Sequence, residues 1–170
     1  MDKSEIQEIG KLIKQEYVKY LEFEKTNSLF NQEIKYQIFF EDYQSDEYEL
    51  TDKILASLNY FLSMDKEKLE WIKELCFKHY EMCISVTDYG IEEELLVKHN
   101  NDYGKANKEL FNIHTKEEAI EKAKINTVDI LEQENDGNTN IYLIINFIVP
   151  WENEHGMKFH FLNNKFVEVE

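Results

Sequence analysis

The sequence predicts a single α+β domain over residues 1–170, with a largely antiparallel sheet packed against an amphipathic helix pair. Three observations predict this class. Period-two alternation indicates a strand before residue 42, and two helical stripes of apolar residues follow between residues 51 and 84. Residues 126–170 then combine strand patterns with turn signals. A chain of 170 residues is long enough to bury one sizeable core.

The N-terminal 25 residues combine a helical start with an alternating continuation. Ser4 is a candidate helix cap. The apolar residues after it recur at three- and four-residue steps, namely Ile6, Ile9, Leu12, Ile13 and Tyr17. From Val18 onward the pattern changes to alternation. We therefore expect a helix followed by a strand.

The next strand is predicted over residues 29–42. Its regularly spaced face consists of Ile34, Tyr36, Ile38 and Phe40. An acidic segment, residues 41–49, follows without a lysine, and its carboxylates are Glu41, Asp42, Asp46, Glu47 and Glu49. Runs of like charge are usually solvated loops. The functional alternative is a docking surface for a basic partner.

Two amphipathic helices are predicted next. Thr51 caps the first, whose apolar stripe is Ile54, Leu55, Leu58, Phe61 and Leu62. Asp65 caps the second, whose stripe is Leu69, Ile72, Cys76 and Cys83, with Tyr80 and His79 beside it. The short link Ser63–Met64 predicts that the two helices form an antiparallel pair.

The remaining elements are short. Glu92–Glu94 indicates a brief helix, residues 100–104 a loop, and Thr115 with Glu118 a capping box. A strand over residues 126–132 and a polar turn at residues 135–138 follow.

Two strand elements complete the chain. The Ile-rich strand over residues 141–149 is expected to be central and covered on both faces. A final hairpin over residues 157–169 would turn at Asn163–Asn164, because asparagine tolerates the positive φ of a two-residue turn.

The charge balance excludes one class of partner. The chain has 19 lysines and no arginine against 35 acidic residues, which gives a net charge of −16. Nucleic-acid binders need clustered positive charge to neutralise phosphates, so we expect no nucleic-acid partner. The polar, acidic start lacks a secretory pattern, and the apolar run at residues 141–151 is too short to span a membrane. We therefore expect a soluble, cytoplasmic protein without a membrane partner.

Motifs of known chemistry are missing from the sequence. It contains no G-x-S-x-G, P-loop, G-x-G-x-x-G, H-E-x-x-H or C-x-x-C pattern. Cys76 and Cys83 are seven residues apart on one predicted helix, or about 10 Å along its axis, which is too far for a disulfide. We expect reduced core cysteines, no catalytic residue, no cofactor and no metal.

The densest polar cluster near aromatic residues is Trp151–Gly156, which we place in a loop after the Ile-rich strand. Three interpretations are open. In the structural one, Trp151 packs on the core, Gly156 permits a tight bend and the carboxylates face water. The other two are a partner-binding loop, and a metal-binding or hydrolase-like site centred on Glu152, Glu154 and His155, with His160 approaching from the next strand.

The order of elements from residue 29 to 170, ending in Trp151-x-x-Glu154-His155-Gly156 and a Phe-rich hairpin, resembles a family of uncharacterised bacterial proteins. This resemblance implies a small α+β domain of unknown function with no catalytic residues. Some similar families occur among the immunity proteins that neutralise polymorphic toxins.

The leading functional hypothesis is a non-enzymatic protein-binding module such as a toxin-neutralising immunity protein. Its partner would be a basic protein, either a toxin or a nuclease, because a strongly acidic protein attracts basic partners. The candidate partner-binding residues are Glu41, Asp42, Asp46, Glu47, Trp151, Glu152, Glu154 and His155. The alternatives are the metal-binding or hydrolase-like domain and a DNA mimic whose carboxylates are spaced like phosphates.

Overall fold

The central element is a seven-stranded sheet whose strands lie side by side in sequence order, in a computed structural model that describes residues 1–135 and 137–170. The strands are β1 (Lys11–Gln15), β2 (Val18–Asn27), β3 (Gln32–Phe40), β4 (Lys124–Asn135), β5 (Asn138–Val149), β6 (Glu152–Leu162) and β7 (Lys165–Val169). The pairs β1–β2, β2–β3 and β6–β7 are antiparallel, whereas β3 and β4 are parallel. A parallel pair needs a long crossover, which residues 41–123 supply.

Most of the helices lie in this crossover. The described helices are α1 (Lys3–Ile9), α2 (Asp52–Leu62), α3 (Lys66–Val86), α4 (Glu93–Lys98), α5 (Tyr103–Phe111) and α6 (Lys116–Lys122). The predicted α+β class and the largely antiparallel sheet are thus confirmed. Across the residues that the structure describes, no helix is both long enough and apolar enough to cross a bilayer.

The chain divides into two compact units. Unit 1 comprises Met1–Lys66, Ile125–Asn146 and Lys158–Glu170. Unit 2 comprises Glu67–Lys124 and Phe147–Met157. Strands β5 and β6 contribute residues to both, and the assignment of residues 1–170 to a single domain stays a prediction.

The N-terminal helix begins earlier than its spacing predicts. Asp2 is its cap: the Asp2 side chain accepts a hydrogen bond from the Glu5 N–H, and the Glu5 carboxylate accepts one from the Asp2 N–H. Ser4, the predicted cap, lies inside α1. The prediction missed the better acceptor because two capping residues stand close together here.

This helix also ends earlier than predicted. Gly10 adopts an extended backbone and leads into β1, which contains Leu12 and Ile13. A Cβ at residue 10 would lie 2.7 Å from the Ile6 carbonyl oxygen and 2.9 Å from the Leu21 side chain, so glycine permits this close approach. The predicted helix is therefore wrong beyond its first two turns, and its second half is an edge strand.

The core of unit 1 forms where α2 packs on the sheet. The predicted strand face is confirmed by its buried residues, Ile34, Tyr36 and Ile38. Thr51 caps α2 as predicted, because its Oγ1 accepts a 3.2 Å hydrogen bond from the Ile54 N–H. From α2, the ring of Phe61 meets the ring of Tyr36 with centroids 6.0 Å apart.

The Ile-rich strand, β5, is central in the sheet but is covered less evenly than expected. Its odd-numbered residues from Ile141 to Val149 are buried, whereas its even-numbered residues are half-buried and Ile148 is 57 % exposed. The expectation that both faces are covered is corrected to one buried and one partly covered face. Asp136, in the predicted turn before β5, lies outside the described residues.

The remaining local signals gave mixed results. The hairpin turn at Asn163–Asn164 is confirmed, with φ of 50° and 62°. The capping box of Thr115 is also confirmed. The loop predicted at residues 100–104 is too long, since Asp102 already caps α5 by accepting a hydrogen bond from the Lys105 N–H.

Candidate functional site

A pocket of about 340 Å³ opens in unit 1 beside the acidic segment, and we call it the acidic pocket. Its apolar wall consists of Phe39, Phe40, Tyr48 and Ile54. Its carboxylates are Glu41, Asp42, Glu47, Glu49, Glu132 and Glu134. A single lysine, Lys19, completes the charged lining.

The parallel pairing of β3 and β4 brings these carboxylates together. Phe39 of β3 is in register with Leu131 of β4, so the two parallel strands run towards the same end of the sheet. The acidic segment follows β3 at that end, and Glu132 and Glu134 lie just beyond the part of β4 that pairs with β3. Residues more than 80 positions apart in the chain thereby line one pocket.

Lys19 binds the backbone of the acidic segment. It occupies an inward-facing position of β2 and is only 1 % exposed. Its Nζ donates hydrogen bonds to the carbonyl oxygens of Ser45 at 3.3 Å and Glu47 at 2.8 Å, and lies 5.7 Å from the centre of the Phe40 ring. The ammonium group therefore binds backbone and an aromatic face and fixes the path of the segment, and it forms no ion pair with a described carboxylate.

A second lysine ties the outer part of the segment. Lys14 Nζ lies 2.6 Å from Asp46 Oδ1, and this hydrogen bond lowers the pKa of Asp46 below its usual value. Asp42 Oδ1 accepts hydrogen bonds from the N–H groups of Gln44 and Ser45, which shapes the turn. Asp46 thus anchors the segment to β1 and does not line the pocket.

The six pocket carboxylates lack cationic partners. Among the described residues none of them forms an ion pair with a lysine or histidine. Elsewhere such pairs are common; in unit 2, Lys116 bridges Glu70 and Glu74. Glu132 has a neutral partner, because Thr51 Oγ1 donates a 2.6 Å hydrogen bond to it. With six carboxylates and one ammonium group in its lining, the pocket has an excess of negative charge.

Trp151, predicted as a core or partner-binding residue, is fully buried in unit 2. Its Nε1–H donates a 3.0 Å hydrogen bond to His79 Nδ1, and its carbonyl oxygen accepts one from the Tyr89 hydroxyl at 2.6 Å. The ring also meets Tyr80 edge-on, with centroids 5.1 Å apart. Its side chain supports the structural interpretation and offers no surface for contact.

His79 and Cys83 lie next to this tryptophan. Because His79 Nδ1 accepts the indole N–H, a neutral His79 carries its proton on Nε2, which lies 3.7 Å from Cys83 Sγ. Burial lowers the pKa of His79 and raises that of Cys83. His79 therefore presents a donor to the sulfur and does not act as a base for it, so the pair lacks the arrangement of a Cys–His nucleophile.

Both cysteines are free and buried, as expected. Burial raises the pKa of Cys76 to about 12, so its thiol stays protonated and unreactive at neutral pH.

The segment from Glu152 to Gly156 was predicted to be a loop, and this is wrong. It forms the first half of β6, and Gly156 has φ of +69°, where an added Cβ would collide with the Phe147 carbonyl oxygen. A glycine at a strand distortion explains why the pattern suggested a bend. The side chains of Glu154 and His155 are 87 % and 80 % exposed.

The residues of this proposed site have different surroundings. His155 Nε2 is 3.9 Å from Glu154 Oε2, Glu152 is half-buried, and His160 of unit 1 lies 3.3 Å from Glu170 instead. Across residues 1–135 and 137–170 no group of three or more His, Cys, Asp or Glu side chains is arranged to hold a metal ion.

Comparison with protein families assigns almost the whole chain. The family DUF6985, a domain of unknown function, matches residues 8–170. The chain belongs to this family. The resemblance to an uncharacterised domain family is confirmed at that level, and membership in DUF6985 carries no known activity. No curated protein and no solved structure matches the chain.

Proposed function

We propose that this member of DUF6985 is a non-enzymatic protein-binding module that recognises a basic partner through the acidic pocket. The observation that carries the proposal is a set of six carboxylates around one partly aromatic pocket, none of which has an ion-pair partner in the described part of the chain. Like charges at short range repel each other, and a bound cation replaces this repulsion with attraction.

The lining suits a lysine or arginine side chain. The methylene stem of such a side chain packs on apolar surface while its charged end remains among polar groups. Phe39, Phe40 and Tyr48 offer that surface, and the carboxylates of Glu41 and Glu49 offer acceptors. Lys19 at the base of the pocket already places an ammonium group over the Phe40 ring, so this environment accommodates a lysine.

The partner class follows from the charge. A basic toxin or nuclease has a cationic surface because it binds phosphate, and an acidic protein that covers this surface inhibits it. We propose such a toxin-neutralising role in the cytoplasm of a bacterium. The net charge of −16 supports it.

The test compares capture by three forms of the immobilised protein. The pocket variant carries Glu41→Gln, Glu47→Gln and Glu49→Gln, and the control variant carries Glu8→Gln, Glu24→Gln and Glu168→Gln at exposed sites outside the pocket. Both variants lose the same charge. We expect the wild type and the control to retain one basic protein from source-cell lysate at low salt and release it at high salt, and the pocket variant to retain at least tenfold less, about 1.4 kcal/mol.

Equal capture by all three forms contradicts the proposal, and so does binding that is insensitive to salt. Direct titration of the captured protein, after purification, then measures the same ratio without competition from other lysate proteins.

A further inference from the structure

A row of polar side chains crosses four central strands of unit 1, on the sheet face opposite the one that packs on α2. Its members are Glu22 on β2, Gln37 on β3, Asp129 on β4 and Asn146 on β5. Gln37 follows the inward-facing Tyr36, and successive strand residues point to opposite faces, so the row lies outside the apolar core. This row is not part of the acidic pocket.

Hydrogen bonds join the row within each half of the sheet. In the first half, Gln37 Nε2 donates to Glu22 Oε2 at 2.8 Å, and Lys35 Nζ lies 3.6 Å from the same oxygen. In the second half, Asn146 Nδ2 donates to Asp129 Oδ2 at 2.8 Å and to Thr127 Oγ1 at 2.9 Å.

The two halves meet at the parallel β3–β4 pair, where a donor is missing. Gln37 and Asp129 are register partners in that pair, so their side chains are neighbours on one face. Asp129 Oδ1 is buried and accepts no hydrogen bond from the described residues. Gln37 Nε2 donates one of its two N–H groups to Glu22 and neither to Asp129 Oδ1, and Gln37 Oε1 is an acceptor. Two acceptors thus occupy neighbouring positions across the seam.

The surroundings of Asp129 favour its neutral form. Burial raises the pKa of Asp129, and the hydrogen bonds from Thr127 and Asn146 lower it by less. The charged groups that the register of β1 to β3 places on this face are Lys11, Glu22, Glu24 and Lys35, and Glu22 pairs with Lys35. Gln37, Thr127 and Asn146 are neutral. No cation therefore forms an ion pair with the Asp129 carboxylate within the described chain.

We propose that Asp129 binds a proton at Oδ1 and that the resulting O–H group donates a hydrogen bond to Gln37 Oε1. This hydrogen bond joins the two halves of the polar row across the β3–β4 pair. The proton comes from solvent, and the carboxylate becomes a neutral carboxylic acid. The folded protein then binds this proton more tightly than the unfolded chain does, so the seam strengthens as pH falls and weakens as pH rises. This proton-linked seam is independent of the proposed binding function.

The direct test is a pH titration of the Asp129 side-chain carboxyl carbon by NMR in the wild-type protein. We expect its midpoint to lie above those of exposed aspartates in the same spectrum. A midpoint at or below theirs overturns the proposal. This measurement requires no substitution, so it does not depend on a variant that folds.

Two variants then identify the acceptor. In Asp129→Asn the amide supplies a permanent donor, so the pH dependence of the urea midpoint should flatten. Glu121→Gln removes one exposed charge from α6 of unit 2 and should leave that dependence unchanged. In Gln37→Met the acceptor is lost, and the Asp129 midpoint should shift down. An unchanged Asp129 midpoint in Gln37→Met overturns the assignment of Gln37 as the proton acceptor.

Discussion

The acidic pocket of unit 1 and the residues around Trp151 in unit 2 differ in whether their polar groups have partners. Around Trp151 the donors and acceptors are buried and satisfy one another, as the bonds to His79 and from Tyr89 show. Around the acidic pocket six carboxylates form no ion pair among the described residues, and buried Lys19 binds the backbone of Ser45 and Glu47. Polar groups that satisfy each other stabilise a fold, whereas charges left uncompensated at a surface are available to a ligand.

The largest expected effect comes from substitutions of Trp151, whose polar groups are paired. Trp151→Ala removes a fully buried indole and should lower the free energy of unfolding by about 3–5 kcal/mol, as measured by urea titration. Trp151→Phe keeps an aromatic ring but leaves His79 Nδ1 without its donor, so we expect a loss of about 1–3 kcal/mol. A Trp151→Phe variant as stable as the wild type would contradict a role for the indole N–H.

The next effect is the loosening of the acidic segment. Lys19→Met keeps the aliphatic stem but removes the ammonium, which leaves the Ser45 and Glu47 carbonyl oxygens without that donor. We expect a loss of about 1–3 kcal/mol and faster amide hydrogen exchange across residues 41–49. The control is Lys14→Met, which breaks an exposed pair with Asp46 and should cost clearly less than Lys19→Met.

A pH effect separates the two regions further. Burial holds the pKa of His79 below its unfolded value of about 6.5, so the unfolded state binds the proton more tightly. The stability contribution is present above that pH and is lost as pH falls towards the folded-state pKa. Urea midpoints of the wild type should fall over this range more steeply than those of His79→Gln. Parallel curves would contradict this contribution from His79.

The smallest effect concerns charge in the pocket. Glu41→Gln combined with Glu49→Gln reduces repulsion among exposed carboxylates, so the free energy of unfolding should rise by a few tenths of a kcal/mol at low salt. Added salt should screen the same repulsion and remove this gain. A loss of stability would indicate that these carboxylates support the fold.

Local signals predicted much of the fold because the residues that decide them are neighbours in sequence. Thr51, the Thr115 capping box and the Asn163–Asn164 turn each act within four residues, and all three are confirmed. The N-terminal helix failed where tertiary contact overrode spacing, since Leu12 and Ile13 pair with β2.

The candidate site was predicted only in part for the same reason. Glu41, Asp42 and Glu47 were found because they stand together in sequence, and the structure places them in one pocket. Glu132 and Glu134 join them through the parallel β3–β4 pair, which no single-sequence pattern indicates. Lys19 had a visible signal: it is a charged residue at an inward position of the strand that also buries Leu21 and Phe23.

The same parallel pair has a consequence for how the chain folds. The antiparallel strands of each half can form by closing short turns, but β3 can meet β4 only after residues 41–123 have brought their ends together. Closing so long a loop costs conformational entropy before the contacts between β3 and β4 form and stabilise it. We therefore expect this pairing to limit the folding rate. The acidic pocket draws its walls from both sides of the pair, and therefore forms late. We therefore expect a partner that contacts the whole pocket to bind the folded protein and not the nascent chain.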